Sequence, residues 1–216
     1  MDGLLLDSER LARATFITAC RGNGWEPDLA VYDLCVGSTY QATERILKAG
    51  FGSDFPFQAI SERWDALYEE HILHQPVDVK SGALELLRRL DELGIPRALA
   101  TSTRRRTAMT KLRNAGLDGF FAALVCGDET ARGKPHPDPY LEAAGRLGLD
   151  PGQCWALEDS NNGVRAAQAA GCCVFQIPDL VAPSAEVRAL GHQVVGSLFD
   201  VLDMLGVVGP DASDHN

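Results

Sequence analysis

Four short stretches of the chain carry side chains that can do chemistry. Asp2-Gly3 stands just ahead of the apolar run Leu4-Leu5-Leu6, which suits a carboxylate held on a tight turn. Thr101-Ser102-Thr103 follows an apolar run and opens a helical pattern. Hydroxyls beside the unpaired N–H groups of a helix start make an anion site, although in isolation the same residues read equally as an ordinary cap. Lys134 lies in Gly133-Lys134-Pro135-His136-Pro137-Asp138-Pro139. Prolines stiffen that loop and leave the lysine poorly placed for a casual surface role; His136 reads as a loop residue. Glu158-Asp159-Ser160-Asn161-Asn162-Gly163 follows another apolar run. Adjacent carboxylates after a buried strand are costly unless a cation is bound, and hard oxygen ligands with open water positions suit Mg²⁺.

These stretches need elements to hold them. Residues 8–74 read as four helices, with Gly22-Asn23-Gly24 ending the first and Pro27-Asp28 opening the second. Gly37 breaks the second, Ser38 caps a third that runs to Lys48 before Gly50, and residues 57–72 form the fourth. From Pro76 the pattern changes. Leu84, Leu87, Leu90 and Leu93 mark a helix stopped by Gly94. A buried strand over 95–100 follows, then helix 105–115, strand 123–126, helix 138–147 and strand 154–157. Helix 162–170, strand 174–177, a strand near 194–195 and helix 198–205 complete the series. Repeated helix-then-apolar-strand units predict a doubly wound α/β fold, a parallel sheet covered by helices on both faces. In such a sheet ligands bind beyond the carboxyl ends of the strands, where each of the four stretches falls. Residues 10–75 would then be a helical insert, with 1–9 and 76–216 forming the core. Arg104-Arg105-Arg106 opposes the helix macrodipole and reads as a solvated face.

Composition narrows the class. The chain has 216 residues, 45% of them hydrophobic and 23% charged, as in an ordinary globular protein. Its net charge of -10 argues against a nucleic-acid surface or an anionic membrane as partner. An anionic substrate must be drawn by local positive charge. No apolar run approaches the ~18 residues of a spanning helix. The six cysteines show no metal-ligand spacing, and the expectation is a reduced, cytoplasmic, monomeric protein.

Together the four stretches resemble the motifs of the haloacid dehalogenase superfamily, and the helical insert resembles the cap of its β-phosphoglucomutase-like branch. The resemblance covers Met1 to about Leu205 and implies a phosphatase acting on small phosphorylated metabolites, sugar or nucleoside monophosphates. It implies phosphoryl transfer to an Asp carboxylate followed by hydrolysis of the aspartyl-phosphate. Asp2 would be the general acid and then base, its backbone carbonyl also meeting the metal. Thr101 and Ser102 would bind the phosphoryl group, and Lys134 would contact it and balance charge. Glu158 and Asp159 would hold Mg²⁺, and these paired acids favour phosphate over halide chemistry. In the cap, Gly37 corresponds to a glycine that approaches substrate; Tyr40 and Arg45 are further specificity candidates.

The departures from the family pattern matter too. β-Phosphoglucomutases carry a His where this chain has Ala12 and a phosphate-clamping Arg about where it has Thr39, which favours hydrolysis over the alternative of mutase chemistry. The family's nucleophilic Asp lies two residues before Asp2, ahead of Met1. A natural N-terminal extension of roughly 5–10 residues, apolar and ending in an acid, is therefore expected. Without one, the alternative is a non-catalytic protein that binds phosphorylated ligands.

Overall fold

The computed structural model describes residues 1–35 and 40–207. The expectations for Gly37, Ser38 and Thr39 fall outside the described residues.

Helices α1 (Ser8–Gly22), α2 (Leu29–Asp33), α3 (Tyr40–Phe51) and α4 (Phe57–His74) form the insert. Asp28 caps α2 by accepting from the Ala30 N–H at 2.8 Å. The helices close around their own aromatic centre, in which Phe16 lies 4.9 Å from Tyr32 and 5.1 Å from Trp64, centroid to centroid. Gly50 does not precede the end of α3 but lies inside it. The reason is packing: a Cβ there would run into the Val31 side chain of α2, so glycine lets the two helices touch. Helix α4, with 18 residues and so about 27 Å long, belongs to two cores. Phe57 and Ile60 sit in the aromatic one, whereas Ile72 and the half-buried Tyr68 sit in the main one.

The rest of the chain alternates as its pattern requires: α5 (Ala83–Glu92), β1 (Ala98–Ala100), α6 (Arg105–Asn114), β2 (Ala123–Val125), α7 (Asp138–Leu147), β3 (Trp155–Glu158), α8 (Asn161–Ala170), β4 (Cys173–Gln176), α9 (Ala185–Arg188), β5 (Gln193–Val194) and α10 (Leu198–Val207). All strand pairs are parallel. Ala156 and Val174 pack with Val164 and Val187 on one side, while Leu157 and Phe175 join the main core on the other. This two-residue alternation places helices on both faces.

Three details differ from the sequence reading. Strand β1 starts at Ala98 and not at residue 95, because the Ile95 N–H is spent on the Leu90 carbonyl at the end of α5. The four-residue α9 is too short to leave a periodic signal. The parallel sheet is in two pieces, β1-β2 and β3-β4-β5. Residues 1–6 make a closed loop: the N–H groups of Leu5 and Leu6 both donate to the Met1 carbonyl, at 2.8 and 3.1 Å. Leu6 bridges to Val79, and Lys80 N–H donates to Leu5 O at 2.9 Å. Met1, Leu4, Leu5 and Leu6 are buried in the main core, so this loop is anchored by apolar burial and fixes Asp2 against the later elements.

Candidate active site

A cleft of about 380 Å³ opens beyond the carboxyl ends of β1 and β3, and Asp2, Thr101, Ser102, Lys134, Glu158 and Asp159 all line it. Its size is that of a small-ligand site. The structure thus brings together every core residue singled out in the sequence. Tyr40 and Arg45 are not among the lining residues. Tyr40 is exposed on α3, its hydroxyl 3.3 Å from Ser61 Oγ and its ring against Phe57.

Each side chain is placed by a definable local cause. Thr101 continues the β1-β2 ladder through its N–H, 2.9 Å from Val125 O, and its hydroxyl accepts from the Thr103 N–H at 3.1 Å. That turn points the chain into α6 and leaves Ser102 exposed at the cleft. Lys134 spans the two sheet pieces: it donates to the carbonyl of Ala100, ending β1, at 3.0 Å, and to the carboxylate of Glu158, ending β3. Tyr140 of α7 also donates to Glu158, and Ser160 Oγ does so at 3.2 Å. Ser160 in turn caps α8.

The two adjacent acids therefore have different surroundings. Burial alone would raise the Glu158 carboxyl, but the Lys134 ammonium and then the terminal ammonium of Met1 hold it below the usual carboxylate range. Burial and the neighbouring Glu158 charge push Asp159 up to about 6. Among the described residues no cation forms an ion pair with Asp159. Gly3, at φ 70°, turns directly over this acid; a Cβ there would meet the Asp159 carboxylate and approach Asp179 Oδ2 at 3.4 Å. Asp179 Oδ2 is itself buried without a hydrogen-bond partner.

An under-compensated carboxylate beside a second orphaned carboxylate oxygen fits a hard divalent cation. Glu158, by contrast, has committed its oxygens to Lys134, Tyr140 and Ser160. Among the described residues no three His, Cys, Asp or Glu side chains form a ready-made metal group. So few protein ligands suit an ion that keeps several of its own waters.

Asp2 has a grip of its own. Its Oδ2 accepts from Thr103 Oγ1 at 2.7 Å and its Oδ1 from Lys111 Nζ at 2.7 Å. Burial would raise this carboxyl, but the Lys111 ammonium and then the terminal ammonium of Met1 bring it down to about 2. Lys111 and Tyr140 were not evident as site residues in the sequence. One is a cation on a strongly basic helix and the other an aromatic on an amphipathic one, and only tertiary packing distinguishes them. Glu9, Arg165 and Asp179 also line the cleft.

The pattern of the haloacid dehalogenase-like hydrolases matches residues 1–171. The chain belongs to this family. Within it, the chain is 34% identical over 210 residues to the probable pseudouridine-5′-phosphatase of Drosophila melanogaster, covering 93% of this chain and 88% of that one. It is 39% identical over 121 residues to the bifunctional riboflavin kinase/FMN phosphatase of Arabidopsis thaliana, 56% of this chain but only 32% of that longer protein. The haloacid dehalogenase family hydrolase of Deinococcus radiodurans, solved with bound phosphate and sodium, superposes with a TM-score of 0.78 at 27% identity. That match covers 98% of this chain and 96% of that one. Among the described residues of this family member, no helix is long and apolar enough to cross a membrane.

Proposed function

We propose that this protein is a Mg²⁺-dependent phosphatase of small phosphorylated metabolites, with sugar and nucleoside monophosphates as the substrate class. The observation that carries the reading is the convergence on one cleft of an anion-binding turn, a lysine, a gripped carboxylate and an under-compensated acid. The names of the relatives, two of them phosphatases of nucleotide-like monoesters, support the same class.

In this reading the Thr101 hydroxyl, Ser102 and the N–H groups at the start of α6 bind the phosphoryl oxygens. Lys134 balances their charge while remaining tied to Glu158. As the phosphoryl group passes to the carboxylate that the family places two residues before Asp2, a proton brought in on the monoanionic monoester passes by way of Asp2, itself ionised in the free protein, to the leaving oxygen. Asp2 then takes a proton from the water that releases phosphate. Asp159, with the Asp2 backbone carbonyl that the family resemblance implies, would hold Mg²⁺. When bound, the ion neutralises charge on the transferring phosphoryl group. Positioning and charge neutralisation thus carry the rate.

Screening the protein against a panel of sugar phosphates, nucleoside monophosphates and phosphodiesters tests the class. Release of inorganic phosphate from monoesters alone supports it. Inactivity on every monoester, with phosphate still bound at the cleft, would favour a binding protein.

A further inference from the structure

Lysine is almost never fully buried unless it is paired, yet Lys111, in the middle of α6, is only 4% exposed. Its ammonium lies 2.7 Å from Asp2 Oδ1 and 4.9 Å from the centre of the Tyr68 ring, a cation–π distance. Tyr68 belongs to α4, the helix that runs on into the aromatic core of the insert. A second tie joins the same two helices just beyond, where Asn114 Nδ2 donates to Ile72 O at 2.6 Å.

We propose that Lys111 is a positioning residue that fixes the Asp2 carboxylate against Thr103, and that Tyr68 of α4 seats Lys111 for that task. The proposal rests on the phosphatase reading for its kinetic consequence but on geometry alone for the placement. A carboxylate held at one oxygen can swing about that bond. Held by Thr103 at Oδ2 and by Lys111 at Oδ1, it has a fixed plane and direction. Small misplacements of a reacting group are expensive in rate. The two grips come from different places, the turn after β1 and the middle of α6. Because Tyr68 presses on the lysine from a helix shared with the insert, the orientation of Asp2 is linked to where α4 lies. Stability alone would be served as well by an apolar residue in place of the buried pair.

The test compares Lys111→Met, which keeps the stem and removes the charge, with Lys111→Arg and Tyr68→Leu. It reads kcat and KM separately on an accepted monoester and takes crystal structures of wild type and variants. Lys111→Met should lower kcat by about 10- to 100-fold with KM within about twofold, and its Asp2 should leave Thr103 in the crystal. Lys111→Arg should recover part of kcat, and Tyr68→Leu should lower kcat more mildly. Wild-type kcat in Lys111→Met, or an Asp2 that stays on Thr103 without the lysine, overturns the proposal. If Lys111→Met does not fold, Tyr68→Leu decides by the same two readouts. A wild-type protein with no turnover sinks the phosphatase reading instead, and the position of Asp2 in the variant crystals still decides the role of Lys111.

Discussion

Lys134 holds Glu158 from across the gap between the two sheet pieces, with its ammonium on both that carboxylate and the Ala100 carbonyl. One side chain therefore ties the carboxyl end of β1 to that of β3 while lining the cleft. Both partners are nearly buried, at 9% and 5% side-chain exposure. Removing one would leave a buried charge uncompensated, which costs on the order of 3–5 kcal/mol. Lys134→Ala should lose stability of that order in urea unfolding, and Lys134→Met/Glu158→Gln should regain much of it. A single variant as stable as wild type would show that the pair is solvated.

Asp159 should behave in the opposite sense. Burial and Glu158 raise its carboxyl to about 6, so ionised Asp159 opposes folding when no cation is present. In chelator at neutral pH, Asp159→Asn should melt at a higher temperature than wild type. Added Mg²⁺ should raise the melting temperature of wild type and leave that of Asp159→Asn unchanged. Equal Mg²⁺ shifts in both proteins would move the cation site elsewhere.

Glu9 gives a pH dependence with a definite sign. Burial, then the charges of Asp2, Asp159 and Asp179, raise its carboxyl from 4.5 to about 7. For a group raised on folding, the associated stability is fully present below the unfolded pKa and is lost as pH rises through the folded value. Up to about 3 kcal/mol is at stake. In metal-free protein, Glu9→Gln should gain on wild type between pH 4.5 and 7, as read by paired thermal melts. A constant difference across that window would mean that Glu9 is well solvated.

The packing of α2 on α3 is tested at Gly50. A Cβ there meets Val31, and overpacking of this kind costs about 1–3 kcal/mol. Gly50→Ala should destabilise by that amount, beyond any gain in helix propensity, and Val31→Ala should relieve it. A stabilised Gly50→Ala would contradict the close approach.

Much of this arrangement is legible in the chain. Helix α7 spans Asp138–Leu147, as its pattern indicates, because a proline-rich start and Gly148 bracket an amphipathic run. Thr101 and Asp159 stand out because each is a polar residue just past an apolar stretch, where an open parallel sheet binds ligands, whereas Asp2 stands out as an acid on a glycine turn and Lys134 as a lysine in a proline-rich loop. What stays hidden is decided by packing. Lys111 sits among Arg105, Arg106 and Arg113 on one polar helix, and nothing local says that it alone is buried there. The different roles of Glu158 and Asp159 follow from which one Lys134 and Tyr140 reach. Glycine is a helix breaker by propensity, yet Gly50 lies within α3 because Val31 comes from another helix. Tyr40 and Arg45 share α3, none of whose residues lines the cleft, and helical spacing alone could not say so.

The most direct measurement is the initial rate of phosphate release from sugar and nucleoside monophosphates by the protein, in Mg²⁺ and then after chelation, beside Asp159→Asn. The proposed chemistry predicts turnover of at least one such monoester that stops with chelator, returns with Mg²⁺ and is absent in Asp159→Asn. Turnover that persists in chelator or in Asp159→Asn, or no turnover of any monoester by the wild-type protein, would contradict it.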